Sequence, residues 1–345
     1  LDLAPGAVVL DVRSPGEYAH AQIPGAYSMP LFSDEERATV GTAYKQVSRE
    51  MAIRHGLRFF GPKMVSMIDT VEKLVHDAQK RNGGATPRVL VHCWRGGMRS
   101  AGVAWLLDLY GFDVATLVGG YKAYRGWALA QFAQSYPFRV LGGYTGSGKT
   151  AVLQHMATRG HTVIDLEGLA SHKGSAFGNI NMPPQPSQEM FENLLAMALH
   201  RAAGSPAIWI EDESARIGDL NLPRSLYEQK QHAPLYLLDV PFEQRLQYIL
   251  QDYGRGQTEM LANAIIRIRK RLGPEQSKDA MHYLMDGNLR DCFAILLQYY
   301  DKWYGKSLGL KPEGAPKAVT IDLEDTEAGK NAEKVVSAAK LDEKR

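Results

Sequence analysis

Cysteine is nearly absent: the 345 residues hold two, Cys93 and Cys292. Two are too few for a disulfide framework, and a reducing, cytoplasmic setting is the expectation. No Cys/His group has the spacing of a zinc site. No apolar run reaches the ~18 residues of a membrane span, so no membrane partner is expected. The opening Leu1-Asp2-Leu3-Ala4-Pro5-Gly6 lacks a basic region followed by an apolar stretch. No signal peptide is therefore expected, although a strand begins so early that a few native residues are expected before Leu1. Excess charge of one sign is missing too. Forty Lys and Arg against 38 Asp and Glu give a net charge of +2. Any polyanion site must then be a local patch. Internal repeats are also lacking. What remains is ordinary: 45% hydrophobic and 23% charged residues, in a chain of about two domains' length.

Short apolar runs alternate with helical patterns. Val8-Val9-Leu10-Asp11 reads as a strand, and a second extended piece follows near Met29. Residues 63–80 repeat apolar side chains at helical spacing (Met64, Met67, Ile68, Val71, Leu74, Val75) and stop at Asn82-Gly83-Gly84. Val89 to His92 is a buried strand, Ser100 to Leu109 an amphipathic helix, and Ala115 to Val118 the next strand. A second set of strands starts at Phe138, Thr162, Ala207, Leu235 and Val319, with a closing helix over 327–340. Such alternation implies α/β architecture with parallel sheets and chemistry at the carboxyl ends of strands. The expected division is residues 1–135 and 136–345. Met281, Leu284, Met285, Cys292, Ile295, Leu296 and Leu297 are expected in the core.

Residues 92–100 read His-Cys-Trp-Arg-Gly-Gly-Met-Arg-Ser. Cys93 lies between a strand end and a helix start, where backbone N–H groups and the helix dipole favour negative charge. Gly96 and Gly97 let the loop curl, and Arg95 and Arg99 add positive charge. A thiol works as its thiolate, so these features point to a lowered pKa and an anion pocket. A buried inert cysteine is the bland alternative. With Asp11-Val12-Arg13-Ser14-Pro15, Glu17-Tyr18, Ile23-Pro24-Gly25-Ala26 and Leu117-Val118-Gly119-Gly120-Tyr121, the loop resembles a rhodanese domain over residues 7–127. Common sulfurtransferases of that family read Cys-Arg-Ser-Gly-x-Arg before the serine. Here seven residues, Cys93 to Arg99, precede Ser100. That Cys-x5-Arg length matches phosphatase loops and relatives that take a larger anion.

Gly143-Tyr144-Thr145-Gly146-Ser147-Gly148-Lys149-Thr150 is a complete Walker A phosphate loop. Gly143, Gly146, Ser147 and Gly148 belong to the backbone cradle, Lys149 balances phosphate charge, and Thr150 is placed for Mg²⁺. Glu211 and Asp212 end an apolar strand and are the acidic metal candidates, with Glu211 the first choice. Asp165, Glu167, His172 and Lys173 are candidates for substrate contact. Arg255, Arg267, Arg269 and Arg271 suit a lid over diphosphate or a track along RNA phosphates, and a solvated helix face is the bland alternative.

A rhodanese-like parallel-sheet domain joined to a doubly wound P-loop NTPase-like domain resembles the bacterial tRNA 2-selenouridine synthase family. The resemblance extends to 34–46, Asp165 to Ala170, Gly174 to Gly178 and Trp209 to Gly218. It implies a transferase acting on 2-thiouridine at the wobble position of tRNA. The sulfur would be alkylated from geranyl diphosphate and the geranylthio group then replaced by selenium from selenophosphate. It further implies tRNA as partner, with selenophosphate synthase on the donor side. Cys93 would carry selenium covalently or assist its transfer. A P-loop kinase with a rhodanese regulatory or sulfurtransferase domain, a Cys-x5-Arg phosphatase and a tRNA-holding module are the competing readings.

Overall fold

The computed structural model describes residues 6–253, 258–309, 312 and 314–342. The chain forms two compact units, Leu1–Ala130 with Glu192–Met197, and Gln131–Phe191 with Ala198–Arg345. Among the described residues no helix is long and apolar enough to cross a membrane.

The first unit is built on β1 (Val8–Asp11), α1 (Pro15–His20), β2 (Tyr27–Ser28), α2 (Asp34–Gln46), α3 (Arg49–Phe60), α4 (Met64–Arg81), β3 (Val89–His92), α5 (Met98–Tyr110), β4 (Val114–Thr116) and α6 (Gly120–Gln131). Its four strands run in the order β2-β1-β3-β4, each pair whose register is defined being parallel. Every residue of β1 and β3 is buried. Helices cover both faces of such a sheet, so its strands read as apolar runs rather than alternations. Val8, Leu10, Val89, Val91, Val103 and Leu107 form the centre of this core.

One strand departs from expectation, and one helical hairpin carried no expectation. The strand expected over Ala115 to Val118 ends at Thr116. The Leu117 carbonyl accepts the Gly120 N–H at 2.9 Å, so the chain turns out of the sheet and Val118 is 88% exposed. The helix α2 carries no clear apolar stripe. Between them α2 and α3 bury only Ala43, Ala52 and Phe60, and periodicity does not reveal a hairpin with so narrow a buried face.

The second unit continues with β5 (Phe138–Gly143), α7 (Lys149–Thr158), β6 (Val163–Ile164), α8 (Leu166–Ala170), α9 (Gln188–Ala202), β7 (Ile208–Glu211), β8 (Arg216–Ile217), β9 (Leu220–Asn221), α10 (Arg224–Gln231), β10 (Leu235–Asp239), α11 (Phe242–Tyr253), α12 (Thr258–Leu272), α13 (Pro274–Met285), α14 (Leu289–Leu308), β11 (Val319–Asp322) and α15 (Ala328–Asp342). The parallel sheet has the order β11-β10-β5-β7-β6. Its first strand in sequence, β5, is central, with the chain winding to one side and then the other. Ligand crevices of doubly wound folds lie at that switch, beyond the carboxyl ends of the strands. Leu141, Trp209, Tyr236 and Leu238 pack the sheet against α7 and α15. A second apolar cluster joins α11 to α14 and includes Leu284, Cys292, Leu296 and Leu297. Burial pushes the Cys292 thiol up to about 11, which makes it inert. Met285, expected in this core, is instead 61% exposed, on the opposite side of α13 from Ala280.

Candidate functional site

In the first unit, β3 delivers Cys93 to the open N-terminus of α5, whose N-cap Gly97 supplies no side-chain cap. The first N–H groups of a helix lack intrahelical acceptors, so they are available to an anion. Cys93 Sγ lies 3.3 Å from Ser100 Oγ. Burial alone would raise this thiol. Hydrogen bonds from the Ser100 hydroxyl and from the backbone of Ser100, Gly97 and Arg95 outweigh it and hold the thiol below its ordinary value. The lowering expected from the Arg95 and Arg99 charges therefore has another source. Arg95 contributes through its backbone, and its side chain is exposed. Arg99 donates from Nη1 to Glu17 Oε2 at 2.9 Å, and Arg37 reaches the same oxygen at 3.1 Å. Ser100 was visible only as the residue closing the loop.

The rest of the rhodanese-like signature braces this loop. Asp11 accepts from Arg13 Nε and Nη2 at 2.9 and 2.6 Å, and Arg13 also donates to the Ala21 carbonyl. The Arg13 guanidinium lies 3.8 Å from the centre of the Tyr121 ring. Tyr121 and Lys122 donate their N–H groups to the carbonyls of Cys93 and Trp94, both at 2.9 Å. Gly120, at φ +59°, allows that approach. A Cβ there would lie 2.3 Å from the Cys93 oxygen.

In the second unit, β5 runs into the phosphate loop, and α7 begins at Lys149 with Gly148 as an uncapped N-cap. The loop borders a cavity of about 1040 Å³, lined by residues 143–151 without Tyr144, and by Asp165, Glu167, Lys173, Gly174 and Ser175. Ser147 is fully buried, and its N–H bonds the Tyr144 carbonyl at 3.1 Å, so it shapes the turn. Lys149 Nζ donates to the Gly143 carbonyl at 2.9 Å. Thr150 Oγ1 donates to Glu167 Oε2 at 2.9 Å and lies 3.3 Å from Glu211 Oε1. Glu211 Oε2 in turn accepts the Glu167 N–H at 2.9 Å.

Glu211 and Asp212, the two acidic candidates, have different partners. Glu211 faces Thr150. Asp212 instead pairs with Lys230 Nζ at 3.1 Å and accepts from the Tyr304 hydroxyl at 2.9 Å. Burial, with the Glu167 and Asp165 charges, raises Glu211 well above the usual carboxylate range. Glu213 is pushed up to about 8 by burial and the Glu167 charge, against the pull of Lys149 and Lys230. Crowded carboxylates that resist ionisation fit a cation. Among the described residues there is no preformed cage of three or more His, Cys, Asp or Glu. Mg²⁺ does not need one, because one or two carboxylates and substrate phosphates suffice. Thr150, Glu167 and Glu211 are the residues that would hold it.

The cavity also has an aromatic wall: Tyr227, Tyr248, Tyr300, Trp303 and Tyr304, with Met182, Ile249 and Leu308. Sequence reasoning missed this wall, although Tyr299-Tyr300 and Trp303-Tyr304 at helical spacing carried the signal. Of the substrate-contact candidates, Asp165, Glu167 and Lys173 line the cavity and His172 does not. It is buried, and its Nδ1 accepts the Gly174 N–H at 3.1 Å, so it staples its own loop. Burial, with the Arg267 charge, lowers its pKa. Arg267, Arg269 and Arg271 are exposed on α12 and none lines the cavity. Arg271 hydrogen-bonds Tyr299. Arg255 lies outside the described residues.

Comparison with known proteins matches both units. Residues 136–316 match the family profile "tRNA 2-selenouridine synthase AAA domain", and residues 2–126 match "Rhodanese-like domain". The tRNA 2-selenouridine synthase of Marinobacter nauticus is 35% identical, over 90% of this chain and 92% of its own. That of Cupriavidus pinatubonensis is 40% identical, over 73% and 67%. That of Hydrogenovibrio crunogenus is 35% identical, over 86% and 88%.

Proposed function

The chain belongs to the tRNA 2-selenouridine synthase family, and from that premise we propose that this enzyme converts wobble 2-thiouridine of tRNA to 2-selenouridine through an S-geranyl intermediate. The cavity of the second unit carries the reading, because it joins a phosphate cradle to an aromatic wall. Geranyl diphosphate has those same two halves. The thiouridine sulfur attacks carbon 1 of the geranyl group, the carbon–oxygen bond breaks, and diphosphate leaves as the N3 proton is lost to solvent. Lys149 and the N–H groups at the start of α7 take up the charge that develops on the leaving oxygens. Mg²⁺ held by Thr150, Glu167 and Glu211 would neutralise further phosphate charge. The rings of Tyr227, Tyr248, Tyr300 and Trp303 favour the hydrocarbon by removing it from water and suit the partly cationic allyl carbon.

Alkylation turns the sulfur into a better leaving group. Selenophosphate then adds its selenium to carbon 2, geranylthiol departs, and water takes the phosphoryl group from selenium. Selenium keeps its oxidation state throughout, so no oxidant is required. The Cys93 loop, with its inward N–H groups and lowered thiol, suits the phosphate-like end of this donor. Arg267, Arg269, Lys270 and Arg271 offer the local positive patch that tRNA needs in a chain of net charge +2. Selenophosphate synthase is the expected donor-side partner, and tRNA as substrate places the work in the cytoplasm.

The test is mass spectrometry of tRNA nucleosides after incubation with each donor. Geranyl diphosphate alone is expected to give S-geranyl-2-thiouridine, and both donors together 2-selenouridine. Selenouridine formed at full rate without geranyl diphosphate contradicts the intermediate. ATP consumption with phosphate transfer to a small acceptor favours a kinase.

A further inference from the structure

The helix α14 reaches the phosphate loop once directly and once through Arg245 of α11. Near its carboxyl end, the Tyr304 hydroxyl accepts the Gly143 N–H at 3.0 Å and donates to Asp212 Oδ2 at 2.9 Å. Asp212 Oδ1 pairs with Lys230, whose side chain is only 2% exposed. One turn earlier, Asp301 holds Arg245 through two bonds of 2.9 and 2.7 Å, and Arg245 Nη1 donates to the Thr145 carbonyl at 3.1 Å. Gly142 makes room for the first contact, since a Cβ there would lie 2.6 Å from the Tyr304 hydroxyl.

Gly143 is the residue where this network meets the loop's lysine. Its N–H is held by Tyr304 and its carbonyl receives Lys149 Nζ. We infer that Tyr304 is a positioning residue: anchored by the Lys230–Asp212 pair, it holds the Gly143 backbone at its N–H and so helps set the carbonyl that receives the Lys149 ammonium. This explains why Asp212, at the end of the strand that supplies Glu211, faces away from Thr150. Its carboxylate orients a hydroxyl. A phenylalanine at 304 keeps the ring and leaves the Gly143 N–H and Asp212 Oδ2 without this partner. Buried groups left so are costly, and the loop is expected to relax around them.

The inference rests on the reading that the phosphate loop holds a diphosphate, and the test separates the two. Inorganic pyrophosphate with Mg²⁺ is titrated into the full chain, wild type, Tyr304→Phe and Lys149→Ala. Tyr304→Phe is expected to weaken pyrophosphate by about ten-fold, the scale of one lost buried hydrogen bond. The Michaelis constant for geranyl diphosphate should rise similarly, and conversion of tRNA already geranylated should fall by much less. Amide exchange at Gly143 should quicken relative to Val140 and Leu141, a local readout that survives partial loss of stability. Wild-type pyrophosphate affinity in Tyr304→Phe, alongside loss in Lys149→Ala, overturns the positioning role and leaves the diphosphate reading standing. Wild-type affinity in both variants overturns both. Equal loss of the geranyl and selenium steps in Tyr304→Phe also overturns it, because the damage is then general.

Discussion

Replacing Lys149 with alanine removes the cation of the phosphate loop from a cavity rich in carboxylates. Asp165, Glu167, Asp212 and Glu213 line that cavity, against Lys149 and Lys173. A diphosphate adds more negative charge, so the missing ammonium should be felt mainly as charge builds on the leaving oxygens. Two unit charges ~4 Å apart at an effective dielectric of ~20 attract by about 4 kcal/mol. Lys149 is half-buried, and solvent screens part of this. A remaining effect of about 3 kcal/mol corresponds to a rate loss of ~10², in line with the removal of one transition-state donor in other enzymes. The assay is single-turnover geranyl transfer to 2-thiouridine tRNA, read by nucleoside mass spectrometry. Thermal melting of the variant confirms that the fold survives. A loss below about three-fold in a folded variant refutes the placement of the diphosphate, because no screening argument at this burial reduces ~10² so far.

Two further outcomes follow from the geometry. Ser100→Ala removes the hydroxyl that holds the Cys93 thiol low. One of the bonds that oppose burial is then lost, the thiol rises, and the ascending limb of the selenium step should move to higher pH; an unmoved limb contradicts the thiolate's role. Replacing Arg267, Arg269 and Arg271 together should flatten the salt dependence of tRNA binding by about one unit of slope for each arginine that meets a phosphate. Normal tRNA affinity with a raised Michaelis constant for geranyl diphosphate would make them a lid instead.

The strands were legible because parallel, doubly covered sheets write themselves as apolar runs. Val8–Asp11 and Val89–His92, buried throughout, lie where sequence reasoning put them. Both loops were legible because backbone cradles require glycines at fixed spacing. What escaped notice depends on distant residues meeting. Ser100 matters because α5 turns it back toward Cys93, Glu17 because it receives Arg99 from 82 positions away, and Tyr304 because α14 returns to β5 across 161 positions. The misplaced residues show the complementary failure. Met285 has core-like chemistry on an exposed side of its helix, and His172 has ligand-like chemistry spent on its own loop.

The measurement that bears most directly on the two-step account is the nucleoside composition of tRNA treated with Cys93→Ala and both donors. The Cys93 loop and the phosphate loop belong to different units, so the phosphate loop should still work. S-geranyl-2-thiouridine is expected to accumulate at the wild-type rate, with selenouridine absent or strongly reduced. Selenouridine produced at the normal rate would contradict the assignment of the selenium step to Cys93, and geranylation lost together with selenation would contradict the division of labour between the two sites.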